Sequence, residues 1–505
     1  MTHIFKKDVS IRTTPKKHLV LIIYLVYIKI CHNQLKKAKN LNIFENQSSN
    51  LKYERTNFNE LKFDSINDII LKIDSLDKNN LKKILNIIEK ETSVENFDLL
   101  RMKEELHTYL WNSIFDNNLA KNDLKIYKNL IINNSDFLIK NADEILENKK
   151  IILSSLHKNL YPWIYGFKYK SLADIINTSN NKGFIICTPN NNFHLVKSNI
   201  EIFRNVFNLS IPIEIFYNGD RDLSYENRKS LEKFKNVFIS DISNYFNNKI
   251  IDISSWAIKP FAILASRFEE IILMDSDSFY LKDPSILFLD EGYLDKGILL
   301  FRDKNSPPST KTHKWLKSFI KNPLPETKEN RIWNNLSFYE IESSTVVIHK
   351  TKTLLGLLNV CKLNEKEIRS KVVYKMVYGD KETFWLGFEM SRQPYYVNKD
   401  FTVAIGEIKI EKDKKGKLIK KLCGNNGNIG HAWRGDLLYW NGHLCKDKRE
   451  NIRKKGKYNG YFIVKDGISR WERILNQKCF VLDNKQNPIL FNKDQKNIIS
   501  KVKYN

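Results

Sequence analysis

Ile271-Ile272-Leu273-Met274-Asp275-Ser276-Asp277-Ser278-Phe279-Tyr280 is the stretch that decides how the chain is read. Four apolar residues run without a polar interruption into an Asp-x-Asp, as in a strand buried on both faces of a parallel or mixed sheet. In open α/β sheets ligands bind beyond the carboxyl ends of the strands, so a divalent cation and a charged ligand belong here. Carboxylate oxygens suit Mg or Mn, and either ion can bridge to a diphosphate. Leu281-Lys282-Asp283-Pro284 follows. Asp and Pro are also ordinary turn residues, so a plain acidic loop is the competing reading.

The surroundings favour the ligand site. Upstream, Gly183-Phe184-Ile185-Ile186-Cys187-Thr188 reads as a short buried strand ending in a polar turn, and His194 to Val206 has helical spacing. Pro212 to Asn218 is a second strand, closed by Gly219-Asp220, and Asn236 to Asp241 is a third. A helix carrying Lys259-Pro260-Phe261 then leads into the Asp-x-Asp strand. This β-α-β-β-α-β order predicts a nucleotide-binding α/β half with a mostly parallel sheet. Gly297 to Phe301 and Ser344 to Ile348 continue as strands, 410–421 as a charged hairpin-like insertion, and 486–505 as a peripheral tail.

The N-terminal region has a different character. Residues 1–17 form a short basic tail, and 18–31 carry an apolar run from His18 to Ile28 between Lys16-Lys17 and Lys29. Such a run fits a signal peptide or a signal anchor; no small-residue cleavage pattern follows, so an uncleaved anchor is expected. The run is shorter than the ~20 residues of a full span, although Lys29 can snorkel to the interface. Residues 32–65 read as a polar stem, and apolar residues at helical spacing from Ile69 onward predict a helical subdomain over 66–175. The catalytic-size domain then occupies 176–485.

Composition narrows the partners. The formal charge is +25, from 83 Lys and Arg against 58 Asp and Glu. The lysines are spread along the chain among many Asn and Ile, with no zinc-finger, RNA-binding or helix-turn-helix signature, so no nucleic-acid partner is expected. Six cysteines are too few for a disulfide scaffold and show no metal spacing. In an oxidising lumen Cys423–Cys445 is the first pair to test. Sequons stand at Asn46, Asn133, Asn177, Asn208 and Asn335.

Four ordered blocks carry a resemblance. WAIKPFAILASRFEEIILMDSDSFYLKDPSILF (Trp256–Phe288) resembles the central block of the fungal Golgi α-mannosyltransferases of glycosyltransferase family 71. IPIEIFYNGDRDLS (Ile211–Ser224), YGDKETFWLGF (Tyr378–Phe388) and LLYWNGHL (Leu437–Leu444) are similar to its flanking blocks. The similarity covers roughly 180–445, and four blocks in order are more specific than one short motif.

The resemblance implies a GT-A-like mixed sheet that binds a nucleotide sugar, flanked by helices, with an N-terminal membrane anchor and helical stem. It implies a retaining α-mannosyltransferase that uses GDP-mannose and Mn2+ or Mg2+ on a mannose-terminated glycan acceptor. An α-1,3 linkage is favoured. The alternatives are an α-1,2 linkage, another nucleotide sugar, or an inactive subunit of a Golgi glycosylation complex. The expected location is the Golgi membrane, single-pass type II, with the catalytic domain luminal.

Residue by residue, Asp275 and Asp277 are implied to hold the metal and donor, with His431 in Ile429-Gly430-His431-Ala432-Trp433 as a third ligand. Lys259 is a candidate for a donor phosphate, against the reading of a solvated helix lysine. Asp380 and Glu382 are candidates for the reacting sugar or acceptor, although acidic residues at a helix start need no chemistry to explain them. Glu342, Ser343, Trp433 and Asn441 are candidate acceptor contacts. Ser344 stands where the family usually has Gly, and His349 where an acidic residue is common.

Overall fold

The structure is a computed structural model. It describes residues 66–502 apart from 75–76, 91–92, 116–141, 401, 413–415, 417, 424–428, 445–455, 465–478 and 483–486. The expected anchor and stem lie outside the described residues. Among the described residues no helix is long and apolar enough to cross a membrane.

Helical periodicity yields α1 (Ile66–Asp74), α2 (Lys78–Glu89), α3 (Phe97–Phe115) and α4 (Ala142–Leu160). Ile69 and Ile73, Ile84 and Ile88, Leu106 and Leu110, and Ile152 and Leu156 are buried pairs four residues apart. That spacing is the stripe an amphipathic helix turns inward. Ser171 opens α5 (Leu172–Asn177) with a capping box closed by Asp174. The helical layer is tied to the rest by buried polar contacts. The Trp163 indole N–H donates to Glu365 at 2.6 Å, and Asn359 donates to the Tyr161 hydroxyl at 3.3 Å.

The first sheet begins with β1 (Lys182–Cys187), α6 (Phe193–Asn205), β2 (Ile213–Tyr217), α7 (Tyr225–Glu232), β3 (Val237–Asp241), α8 (Ile258–Ala265) and β4 (Glu270–Asp275). The sequence reading ran β2 directly into β3 and missed α7. Leu231 is its single buried residue, so it offers almost no apolar period to detect. The chain continues through β5 (Ser278–Tyr280), β6 (Ile298–Arg302), β7 (Ile341–His349), α9 (Leu354–Leu363), α10 (Lys381–Met390) and β8 (Tyr396–Asn398).

The strand order is β3-β2-β1-β4-β7-β6-β8. The β3-β2-β1-β4 half is parallel, and β7 runs antiparallel to both β4 and β6, so the sheet is mixed. From β1 the chain winds outward to β3, then returns to the other flank of β1 as β4. The crevice at the carboxyl ends of β1 and β4 is therefore a topological switch point. Their ends are flush, with Cys187 opposite Asp275.

A second sheet follows from β9 (Thr402–Lys412), β10 (Leu418–Cys423), β11 (Ile429–Trp433), β12 (Asp436–Asn441), β13 (Gly460–Val464), β14 (Cys479–Leu482) and β15 (Ile489–Leu490). Its order is β14-β10-β9-β11-β12-β5, with β13 on β9 and β15 on β13. The β9–β10 hairpin accounts for the charged insertion. Cys423 is bonded to Cys479, its register partner on β14, and not to Cys445 as the sequence suggested. The tail is also corrected. α11 (Lys493–Lys501) and the residues beside it bury Phe491, Ile498, Ile499 and Val502 against Phe279 and Trp440, so they complete a core.

Asp275 ends β4 in the first sheet and Ser278 begins β5 in the second. Ser276 and Asp277 are thus the corner at which the chain changes sheets. The acidic loop is held from both sides because it belongs to both.

Candidate active site

A cleft of about 680 Å³ opens at this corner, lined among others by Thr188, Asn218, Trp256, Lys259, Asp275, Asp277 and Asn441. It collects the ends of β1, β2 and β4, as the switch point requires, and adds the end of β12 from the second sheet.

The corner backbone is fixed by side chains and by the 441–443 turn. Asn199, buried on α6, donates its amide to the carbonyls of Ser276 at 3.4 Å and Ser278 at 2.8 Å. Its oxygen lies 3.2 Å from His443 Nε2. Asn192 donates to the Ser276 hydroxyl at 2.7 Å. The N–H groups of Gly442 and His443 both donate to the Asp277 carbonyl, at 2.8 and 2.7 Å. Gly442 (φ 111) and His443 (φ 51) have positive φ. The glycine meets that geometry without the steric cost a side chain would carry.

Lys259 is the electrostatic hub. Its ammonium lies 2.8 Å from Asp275 and 3.6 Å from Asp380, and it donates to Ser343 through the carbonyl and the hydroxyl. Ser343 in turn donates to Asp380 at 3.0 Å. Burial opposes the lysine's charge, but Asp275 and Asp380 outweigh it and hold the pKa above that of a free amine. Burial raises Asp275 to about 6 although Lys259 pulls it down, and the neighbouring Asp277 and Asp380 push it further up. Glu342 is raised to about 7, chiefly by burial and then by Asp303, against Lys381 and Lys259. Lys381 is ion-paired to Asp303.

The predicted residues thus separate into groups. Asp275, Asp277, Lys259 and Asn441 line the cleft, and Asp380 and Ser343 join it through Lys259. Lys259 is no solvated helix lysine, and its charge is already shared by two carboxylates. Glu382 is displaced from its expected role: it is fully buried, accepting from the Glu340 N–H at 2.9 Å and the Trp385 indole at 2.7 Å. Burial raises its pKa to about 8. Trp433 lies in a separate depression, its indole bonded to Asp290 at 2.8 Å and Arg434 over its ring.

His431 is not gathered with the two aspartates. It is buried between the rings of Tyr439, at 4.9 Å, and Phe301, at 5.7 Å. Burial lowers its pKa to about 4, and its Nε2 has no hydrogen-bond partner. The histidine beside the acidic corner is His443. It was present in the Leu437–Leu444 block, but nothing in its spacing announced that the turn would fold onto Asp277. Asn199 did leave a signal: an asparagine on the otherwise apolar face formed by Val196, Ile200 and Phe203.

Among the described residues no group of three His, Cys, Asp or Glu is arranged to hold a metal ion. Two carboxylates and the buried Asn441 Oδ1, which has no hydrogen-bond partner, do face one cleft. This donor set is too small for a closed cage. It fits a hard cation held by one or two carboxylates and completed by substrate phosphates and water.

Residues 181–426 match the family described as "Mannosyltransferase putative". The chain is 27% identical over 338 residues to alpha-1,3-mannosyltransferase MNT3 of Saccharomyces cerevisiae, covering 59% of this chain and 52% of that one. It is 22% identical over 460 residues to "Putative alpha-1,3-mannosyltransferase MNN14" of Candida albicans, covering 77% and 64%. The chain therefore spans between about half and two thirds of these relatives. Among solved structures, the mannosyltransferase Ktr4p from S. cerevisiae in complex with GDP is 12% identical over 46% of this chain and 72% of that chain. Its TM-score of 0.30 is too low to weigh on the fold. Over residues 181–426, just under half of its length, the chain is similar to this mannosyltransferase family.

Proposed function

We propose that the chain is a retaining α-mannosyltransferase of GT-A type that moves mannose from GDP-mannose to a mannose-terminated glycan, forming an α-1,3 linkage. The observation that carries this is the Asp275–Asp277 corner at the switch point, inside the segment that matches the family. The relatives named as alpha-1,3-mannosyltransferases support the linkage.

In this reading the diphosphate lies at Asp277 and Asn441, with the nucleoside toward Asn218 at the end of β2. A Mn or Mg ion held by Asp277 and Asp275 supplies charge neutralisation for the departing diphosphate. Lys259 keeps Asp275 and Asp380 from repelling one another, so both carboxylates stay in place as the ligand enters. Glu342, beside Ser343 on β7 and accepting from the Ser344 N–H, is assigned to the acceptor side of the site. The Asn199–His443 clamp holds the corner rigid, which preserves the positioning that transfer requires.

The proposed location is the Golgi lumen, with an N-terminal anchor over 18–31. The Cys423–Cys479 disulfide supports it, because disulfides persist in oxidising compartments. The test is incubation of the luminal chain with Mn and a panel of labelled nucleotide sugars, with α-linked mannobiose as acceptor. Transfer from GDP-mannose and an α-1,3 product by linkage analysis are expected. Transfer only from UDP-sugars would overturn the donor assignment, and an α-1,2 product would overturn the linkage.

A further inference from the structure

Trp256 is 45% exposed and Tyr378 is 52% exposed, although both are large aromatic side chains. Their rings lie 5.5 Å apart and tilted by 42°, and Tyr339 meets Tyr378 edge-on at 6.0 Å and 77°. Exposed apolar patches of this kind mark binding sites more often than they serve the fold.

The ledge is held at a structural cost. Asp252 (φ 44) and Ser255 (φ 50), in the loop that presents Trp256, are non-glycine residues in the left-handed region. Such strain persists where the surroundings over-determine it, and it gathers at functional sites. Arg369 supplies that bracing through bonds to the carbonyls of Ile251 and Asp252 and to the Ser254 hydroxyl. Gly379 (φ 64) lets the backbone pass beneath the indole, since a Cβ there would come within 2.9 Å of the ring.

Position narrows the occupant. Trp256 lines the cleft, and Gly379 leads into Asp380, which is bonded to Ser343 on β7. The row therefore runs from the cleft toward the β7–β6 half of the sheet, away from β2 and β3. The nucleoside side of the cleft lies at the end of β2, with Asn218, Arg221 and Asp222. The nearby cations are already neutralised: Lys381 stacks over Tyr339 and pairs with Asp303, and Lys259 pairs with Asp275 and Asp380. A neutral ring with one apolar C–H face and a polar rim matches an exposed aromatic face beside buried carboxylates.

We propose that Trp256 and Tyr378, with Tyr339 braced edge-on behind them, form the acceptor platform, on which the terminal mannose of the glycan stacks. The assignment rests on the mannosyltransferase reading and adds the sub-site that selects the acceptor.

Calorimetric titration of the full chain separates the two. α-Linked mannobiose is titrated with GDP and Mn present, and GDP with Mn is titrated alone. Tyr378→Ala and Trp256→Ala should weaken mannobiose binding about fivefold or more, while Tyr378→Phe keeps it, and in the Tyr378 variants GDP affinity stays at the wild-type value. Circular dichroism checks that each variant is folded. Unchanged mannobiose affinity in both alanine variants overturns the platform, as does a wild-type chain that binds no mannobiose. Loss of GDP affinity with mannobiose unaffected also overturns it, because the ledge then holds a nucleobase. A wild-type chain that binds mannobiose but not GDP with Mn refutes the nucleotide reading instead, and leaves the platform standing.

Discussion

Two regions present acidic residues two positions apart and use them in opposite ways. At 275–277 the pair ends a strand and turns a corner between two sheets, so both carboxylates line the cleft. At 380–382 the pair sits at the start of α10, where successive side chains fan around the helix axis. Asp380 points to Lys259 and Ser343, while Glu382 turns into the core beneath Trp385. The same spacing thus yields a site in one place and a split between site and scaffold in the other. The element, not the motif, decides.

The sharpest way to break this contrast is Asp277→Ala. It should lower transfer by about a hundred- to a thousandfold, the range for losing one preorganised electrostatic group. Thermal unfolding should change far less than transfer does, since the side chain lines the cleft and belongs to no apolar core cluster. Retained turnover would place the chemistry elsewhere.

Glu382→Ala is the converse experiment. It leaves the Glu340 N–H and the Trp385 indole N–H without their acceptor, a loss of about 2–4 kcal/mol by urea denaturation. The folded fraction should keep its kcat. A kcat collapse with unchanged stability would return Glu382 to the reaction.

The two histidines of the C-terminal strands extend the comparison. His431 has a folded pKa of about 4, below the ordinary value near 6.5, so on acidification the unfolded state takes up the proton first. Its contribution is complete above pH 6.5 and is lost as pH falls toward 4. His431→Phe should therefore reduce the drop in stability between pH 7.5 and pH 5 by about 2 kcal/mol. Differential scanning at the two pH values reads this directly. The Mn concentration for half-maximal activity should not move, whereas a metal ligand at this position would shift it.

Asn199→Ala tests the clamp on the other histidine. Partners one layer behind a ligand typically change affinity by about tenfold, and a loss of that size is expected for GDP in the presence of Mn. Calorimetry reports it independently of turnover. An unchanged affinity would mean that the 441–443 turn alone holds the corner.

Much of this was legible in the chain. The buried run at 271–274, the strands before it and the four family blocks were read because apolar periodicity and motif order are local properties. α7 escaped because it buries one residue, and the tail because its apolar residues are few and match a surface formed by distant strands. Cys423 found Cys479 rather than Cys445 because β10 and β14 pair in register.

The sequence by itself determined the class of sheet, the acidic strand end and the blocks similar to the mannosyltransferase family, since each is carried by consecutive residues. Only the tertiary structure decided which charges share the cleft. It brought Lys259 between Asp275 and Asp380, carried the 441–443 turn to Asp277, and sent Glu382 and His431 into apolar surroundings. Those outcomes depend on strand register, sheet crossing and burial, which join residues from different elements and leave no local pattern to read.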